Sequence, residues 1–312
     1  MKPEISIVVP LYNEELVIDA MAARLTAAMD KTGLAYEVVM VNDGSRDRTA
    51  ELARAICAAD SRYRLVGFSR NFGHQFAITA GMDRCRGDAV VIIDADLQDP
   101  PEVIPELVAR WREGFQVVYG LREKREGESW FKLITAKAFY RVLKRLTSVE
   151  IPVDTGDFRL IDRSVLEQLN SMRERSRFVR GMVSWIGFRQ CAVTYVRHQR
   201  HAGETKYPLS KMMKFAIDGL LAFSQVPLKL ASGLGLAASL VSFFAMVYGV
   251  VIKYVAPEKV IPGWSSTFSA ILFLGGVQLI CLGVLGEYVG RIYEEIKNRP
   301  LYIVAEEVNF DD

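Results

Sequence analysis

Two long apolar runs in the last third of the chain set the first limit on what it can fold into. Residues 231–255 read ASGLGLAASLVSFFAMVYGVVIKYV with Lys253 as their one charge, and residues 267–289 carry only Glu287. Each run exceeds the roughly 20 residues that a helix needs to cross a hydrocarbon core. A soluble core could bury one such helix. Two in succession, joined by the short link 256–266, are read instead as a membrane-spanning hairpin whose outer ends share one side. Lys211, Lys214 and Lys229 precede the hairpin, and Arg291, Lys297 and Arg299 follow it. Basic flanks are retained on the cytoplasmic side, so everything before the hairpin and the tail 290–312 are expected in the cytoplasm of a multi-pass membrane protein. The opening residues MKPEISIVVP lack the basic segment and apolar stretch of a cleaved signal.

The chain has 312 residues, enough for one large domain with an appendage. Half of them are hydrophobic and the mean hydropathy is +0.13, an excess concentrated in the two apolar runs. A formal net charge of +2 gives no bulk electrostatic basis for a nucleic-acid partner. Cys57, Cys85, Cys191 and Cys281 are widely spaced with no CxxC pair. They fit reduced, packing cysteines, not a disulfide frame or a zinc site.

Residues 1–121 alternate β-branched runs with helical patterns. The spacing predicts strands at 5–10, 36–42, 64–68, 89–94 and 116–121, and helices at 15–31, 48–59, 75–84 and 101–113. Nearly continuous apolar strands alternating with helices imply a mostly parallel, Rossmann-like α/β sheet covered on both faces. Ligands of such sheets bind beyond the carboxyl ends of the strands. The first four strands run into PLYNEE, NDGSRD, SRNFGHQ and DADLQD, so these segments are expected at one edge. No GxGxxG follows the first strand. The near match from Gly233 through Gly235 to Ala238 lies inside an apolar run, where small residues serve helix packing. No GxxxxGKS/T occurs either, which excludes P-loop chemistry.

Asp94 and Asp96 close the fourth predicted strand, followed by Gln98 and Asp99. Side chains alternate along a strand, so the two acids are expected on one side. Two carboxylates near an amide oxygen suit a hard divalent cation that shares its shell with water and phosphate. Turn acids capping a helix near Pro101 are the plainer alternative. PLYNE (10–14) and NDGS (42–45) offer groups for gripping a base and ribose, Asp43 foremost, although such residues are also ordinary turn and capping residues.

In the order strand-PxYNE, strand-NDGS, strand-DADLQDPP, these segments resemble the inverting, GT-A glycosyltransferases of family 2. SRNFGHQFAITAG (69–81), TGDFRLIDRSV (155–165), RFVRGMVSWIGF (177–188), HAGETKYPLSKM (201–212) and GEYVGRIYEEIKNRP (286–300) extend the resemblance. They are similar to bacterial polyprenyl-phosphate glycosyltransferases, nearest the GtrB-type bactoprenol glucosyltransferases, with the dolichol-phosphate mannose synthases as wider relatives. The resemblance implies a GT-A domain over 1–207 that moves a hexose from a nucleotide-sugar donor, UDP-glucose first, to polyprenyl (undecaprenyl) phosphate at the inner membrane. It implies that Asp94, Asp96 and Gln98 hold Mg²⁺ or Mn²⁺ against the donor diphosphate. Pro10, Tyr12, Asn13, Glu14 and Asp43 would contact the nucleoside.

The same resemblance makes Asp157 the general base, with Asp96 as its catalytic companion. A phosphate monoester has a second pKa of about 6, so the acceptor is already largely ionised. Asp157 is then equally suited to orienting the nucleophile or stabilising positive charge at the anomeric carbon. Arg200 and Lys206 lie in a basic loop that could neutralise the leaving diphosphate or bind lipid headgroups. A homo-oligomer, a tetramer among the options, is also implied.

Two further stretches are amphipathic. Apolar or small residues recur at 131, 134, 135, 138, 139, 142, 143 and 146 beside Lys137, Arg141, Lys144 and Arg145. A second stripe runs through 209, 212, 213, 216, 217, 220 and 221. An apolar stripe beside a basic face suits a helix in the headgroup layer. An interfacial helix is therefore expected at about 130–147 and a juxtamembrane helix at 208–229, with packing on the sheet as the alternative. His198 and His201 lack a third metal ligand, and His74 reads as a loop or helix-start residue. The GxxxG at Gly286 and Gly290 suggests close helix packing. A processive polysaccharide synthase would need more spans and a QxxRW-like motif, neither present. A catalytically silent sugar-nucleotide sensor would be favoured by loss of DAD or Asp157, and both are intact. Other donors, GDP-mannose or UDP-GlcNAc, stay open.

Overall fold

The β-branched runs form the strands their spacing predicts. β1 (Ile5–Leu11), β2 (Tyr36–Asn42), β3 (Tyr63–Phe68) and β4 (Ala89–Ile92) are buried along their whole length, and β5 (Val117–Arg122) follows. Val, Ile and aromatic side chains suit a sheet packed on both faces, which is why no polar alternation marks these strands. Between them lie α1 (Ile18–Asp30), α2 (Thr49–Ala59), α3 (His74–Arg84) and α4 (Ile104–Arg112), the last entered through a 3-10 turn at Pro101–Val103. Pro at the start of that turn costs nothing, because the first amides of a helix have no internal partner. The computed structural model describes residues 2–123, 155–196, 226–255 and 263–310. Arg200, Lys206, the expected interfacial helix at about 130–147 and the stretch 208–225 lie outside the described residues.

After β5 come β6 (Thr155–Asp162), α5 (Arg163–Ser171), α6 (Val179–Ile186) and β7 (Gln190–Tyr195). The sheet has eight strands in the order β7-β5-β6-β4-β1-β2-β3-β8, where β8 is Val304–Val308. β1 pairs in parallel with β2 and β4, β2 with β3, and β5 with β7. Among the described strands, only β6 and β8 run the other way. The fold is the mostly parallel α/β sheet expected. Its core packs Ile7, Val9, Val38 and Met40 against Leu25 of α1 and Leu107 of α4.

Three details depart from the sequence reading. β6, which carries Asp157, has too many charged residues to show a strand pattern. Part of the expected tail 290–312 is β8, which joins the sheet because its backbone completes the edge of β3. β4 ends at Ile92, and 94–99 form a turn with Leu97 at φ 59. Strand alternation therefore does not set where Asp94 stands relative to Asp96; both belong to the segment beyond the strand.

A second compact unit holds α7 (Val226–Val255) and α8 (Trp264–Ile296), which pack on each other. Cys281 Sγ donates to the Ala231 carbonyl at 3.3 Å. Both helices run past the predicted spans, α7 starting at Val226 and α8 continuing to Ile296. Their segments Leu228–Ala245 and Phe273–Ile296 are long and apolar enough to cross a membrane. All four cysteines are unpaired.

Candidate active site

The chain winds from β1 to β2 and β3 on one side and places β4 on the other. That reversal opens a crevice beyond the carboxyl ends of β1 and β4. Asn13 and Leu97, just beyond these two strands, are held at φ 55 and 59. This left-handed region is rare for residues with a Cβ and is typical of strained functional loops. Asn13 N–H donates to Ser45 Oγ at 3.0 Å, and Asn13 Oδ1 accepts from Arg46 N–H at 2.9 Å. Glu14 N–H donates to Thr49 Oγ1 at 2.8 Å. PLYNE and NDGS are thus laced into one wall. Gly44 completes it at φ +62, with the carbonyl carbon of Arg70 2.4 Å from where a Cβ would stand.

Asp43 is buried just past β2. Its Oδ1 accepts from Phe72 N–H at 2.6 Å, and its Oδ2 from Gly73 N–H at 2.9 Å and Asn71 Nδ2 at 3.0 Å. Burial raises its carboxyl pKa, and the two backbone donors oppose that rise. In the structure this carboxylate anchors the loop 69–73.

β6 runs against β4 with Ala89 opposite Asp162 and Ile92 opposite Arg159. The same register, carried two residues further, brings Asp157 level with Asp94. Arg180 Nε of α6 donates to Asp157 Oδ1 at 2.8 Å, and Gln75 Nε2 of α3 to Oδ2 at 3.3 Å. Arg180 Nη1 also donates to the Thr155 carbonyl at 2.9 Å. His74 Nε2, at the head of α3, stands 3.2 Å from Asp157 Oδ2 and 3.5 Å from Asp94 Oδ1. Burial works to raise the Asp157 pKa, but Arg180 and His74 outweigh it and hold the carboxyl well below the usual range. Such a group is a weak base. Burial would also lower His74, yet Asp94 and Asp157 together lift it to about 9.

Asp94 is the opposite case. Burial pushes its carboxyl up to about 6, with Asp157, Asp99 and Asp96 adding to the rise and His74 opposing it. Its Oδ1 is sealed from solvent and accepts no hydrogen bond, although the side chain as a whole is partly exposed. This oxygen, without a hydrogen bond and with His74 Nε2 3.5 Å away, lies among further carboxylates, a setting that fits a divalent cation. Asp96 Oδ1 accepts from the Gln98 backbone N–H at 3.1 Å, which brings Gln98 into the same turn. Among the described residues no three His, Cys, Asp or Glu side chains form a complete ligand set. The protein would supply part of a shell that water and diphosphate oxygens complete. Asp99 braces the turn from behind: it accepts from the Tyr195 hydroxyl, and Arg122 Nη2 lies 3.6 Å away.

The model of glycosyl transferase family 2 matches residues 6–169, and that of the GtrB C-terminal hairpin matches residues 226–292. The chain belongs to glycosyl transferase family 2. The uncharacterized glycosyltransferase YkcC of Bacillus subtilis (strain 168) is 52% identical over 98% of this chain and 95% of its own length. The SfII prophage-derived bactoprenol glucosyl transferase of Shigella flexneri is 40% identical over 96% of this chain and 97% of its own length. Among solved structures, glucosyl-3-phosphoglycerate synthase from Mycobacterium tuberculosis in complex with Mn²⁺, UDP and phosphoglyceric acid is 23% identical. It has a TM-score of 0.49 and covers 70% of this chain and 78% of that one.

In this family 2 glycosyltransferase the structure brings Asp94, Asp96, Gln98 and Asp157 to one edge, with Tyr12, Asn13 and Glu14 on the adjoining loop. Pro10 is buried at the end of β1. The sequence reading missed the partners of Asp157, namely His74, Gln75 and Arg180, and the Asp99–Tyr195–Arg122 brace. A signal for Arg180 existed: in α6 it sits among Val179, Gly181, Met182 and Val183, all buried. A charged residue among buried neighbours requires a partner of opposite charge. The hairpin adds membrane association to the family assignment.

Proposed function

We propose that this family 2 glycosyltransferase transfers glucose from UDP-glucose to a polyprenyl phosphate, undecaprenyl phosphate in a bacterial cell, with inversion at the anomeric carbon. The observation that carries the reading is the acid pair at the sheet edge, Asp94 and Asp157, spanned by His74. One carboxylate suits a cation on the donor diphosphate, and the other stays anionic beside it. Near full-length similarity to a bactoprenol glucosyl transferase supports the choice of sugar and lipid.

An oxygen of the lipid phosphate attacks the anomeric carbon while the bond from that carbon to the diphosphate oxygen breaks. The nucleoside diphosphate leaves with the electron pair, so an α-linked donor gives a β-linked lipid product. With a second pKa of about 6, the acceptor brings its own negative charge and needs no proton removed. Asp157, kept ionised by Arg180 and His74, stabilises positive charge developing at the anomeric carbon. Asp94, Asp96 and Gln98 would hold Mg²⁺ or Mn²⁺, which when bound neutralises charge on the departing diphosphate. Tyr12, Asn13 and Glu14 line the nucleoside wall over the buried Pro10, and Asp43 fixes its outline through the loop 69–73. Arg200 and Lys206 supply positive charge for the leaving diphosphate. The basic flanks of the hairpin orient the sheet unit toward the cytoplasm, in a homo-oligomer.

The test is incubation of membranes containing the protein with polyprenyl phosphate, Mg²⁺ and a panel of radiolabelled nucleotide sugars. UDP-glucose should label the lipid, and Asp96→Ala and Asp157→Ala should each lower the rate by about 10²-fold or more. Failure of every donor to label lipid, or full activity in both variants, overturns the reading.

A further inference from the structure

The C-terminal segment takes a seat in the sheet that is shaped for it. β8 pairs with β3, Leu65 opposite Val308 and Phe68 opposite Val304, with a register shift between Gly67 and Phe68. Gly67 has no Cβ, and Glu306 Cγ lies 2.6 Å from where one would stand. Arg54 grips Glu306 through Nε and Nη2, both at 2.9 Å. Asn309 Nδ2 donates to the carbonyls of Cys57 and Tyr63 at 2.9 and 2.8 Å. Exposed ion pairs contribute little singly, but the ladder and the Asn309 bonds hold the segment along β3.

The end of this segment nearest the site is Tyr302 and Ile303. Ser69 N–H donates to the Ile303 carbonyl at 3.1 Å. The Tyr302 ring stacks on Phe68 at 5.0 Å, and its hydroxyl donates to Asp83 Oδ2 at 2.6 Å. Phe68 in turn meets Phe72 edge-on at 5.6 Å. These contacts reach the start of the loop 69–73 and, through Phe68, its middle. Asp43 holds the same loop through Phe72 and Gly73 N–H. The next two residues are His74 and Gln75, both at Asp157.

We propose that Tyr302 and Ile303 are positioning residues for the active site. They fix the loop 69–73 on one side as Asp43 does on the other, and so set where His74 and Gln75 meet Asp157. The inference rests on the proposed role of Asp157 in glucosyl transfer. It also follows from chain order that the site is completed only by residues made after both apolar helices.

The test uses full-length protein in membranes, with activity expressed per folded molecule. Tyr302→Ala should lower kcat about tenfold with KM for UDP-glucose changed less than twofold, since a small misplacement of reacting groups acts on the transition state. Tyr302→Phe keeps the stacked ring and should retain most of the activity. Glu306→Ala weakens the same strand away from the loop and should leave kcat within twofold. If Tyr302→Ala and Glu306→Ala have the same kcat, the segment is only a structural strand and the proposal is wrong. Tyr302→Leu, which preserves apolar bulk without the ring, serves if the alanine variant does not fold. An inactive wild type would defeat the glucosyl-transfer reading instead. Amide exchange at Phe72 and Gly73 then decides separately: it should quicken in Tyr302→Ala and not in Glu306→Ala, and equal exchange in both overturns the positioning role.

Discussion

At Asp157, donors from two helices meet one buried carboxylate, and Arg180 supplies both a short bond at 2.8 Å and the leading opposing charge. Removing that guanidinium should change what the carboxylate does more than whether the protein folds. Breaking a buried ion pair costs about 3–5 kcal/mol when a charge is left alone. Here His74 and Gln75 still face the carboxylate, so Arg180→Ala should cost less than about 3 kcal/mol. Its kcat should fall about 10²-fold, because the carboxylate is no longer held at one angle. Arg180→Lys should recover only part of the loss, since an ammonium cannot reproduce the planar fork. Steady-state kinetics beside thermal unfolding in detergent separates the two effects. Unchanged kcat in Arg180→Ala would show that the clamp is irrelevant to transfer. These partners could not be read from sequence, because Arg180 and His74 are distant from Asp157 in the chain and meet it only through the packing of α6 and α3 on the sheet.

The strands divide the labour between their two ends. At the amino end, buried Glu37 of β2 accepts from the Ser6 hydroxyl at 2.6 Å and Arg86 N–H at 2.7 Å, and lies 3.5 Å from buried Arg64. Glu37→Ala would remove the acceptor of two donors and the carboxylate beside a buried guanidinium that also lies over the Phe310 ring, so a stability loss of about 1–3 kcal/mol is expected. Being at the end opposite the crevice, it should leave kcat of the folded fraction within about twofold of the parent. A tenfold loss of kcat without a lower unfolding temperature would contradict this. Such polar networks also mark the limit of pattern reading. β1 to β4 were visible because both faces are buried and the residues are almost all apolar, and β5 because its apolar run continues the pattern. β6 was not, since Asp157, Arg159 and Asp162 interrupt it; Asp157 is received inside by Arg180 of another element, and buried Arg159 donates to the Gly156 carbonyl of its own strand at 2.9 Å. VAEEV reads as a polar tail until Arg54 and Arg84 give Glu306 and Glu307 their partners. The acids 94–99 were found, but the turn that holds them needs Leu97 at φ 59, which no local preference for leucine announces.

For the whole molecule, the governing fact is that α7 and α8, though packed on each other, leave most of their apolar surface exposed. Of the apolar windows Leu228–Ala245 and Phe273–Ile296, 6% and 0% are buried. Phe243, Phe244, Leu279 and Leu282 are 54%, 66%, 72% and 62% exposed. Burying a leucine or phenylalanine is worth about 1.5–3 kcal/mol each, so two helices with these faces in water would drive association or insertion. The hairpin was legible from sequence for the same reason: an unbroken apolar run needs no tertiary partner to be recognised. A chain with 226–298 replaced by a flexible Gly/Ser linker of about 20 residues keeps every strand, β8 included. Full-length protein should resist alkaline carbonate extraction of membranes, whereas the excised chain should be released and still bind UDP through the β1 and β4 loops. Its transfer to a short, water-soluble polyprenyl phosphate should persist, while transfer to the long-chain lipid in vesicles should fall. Retention of the excised chain in carbonate-washed membranes would move the anchoring role to the amphipathic stretches at 130–147 and 208–225. Loss of UDP binding would instead mean that the hairpin is needed for the sheet to fold.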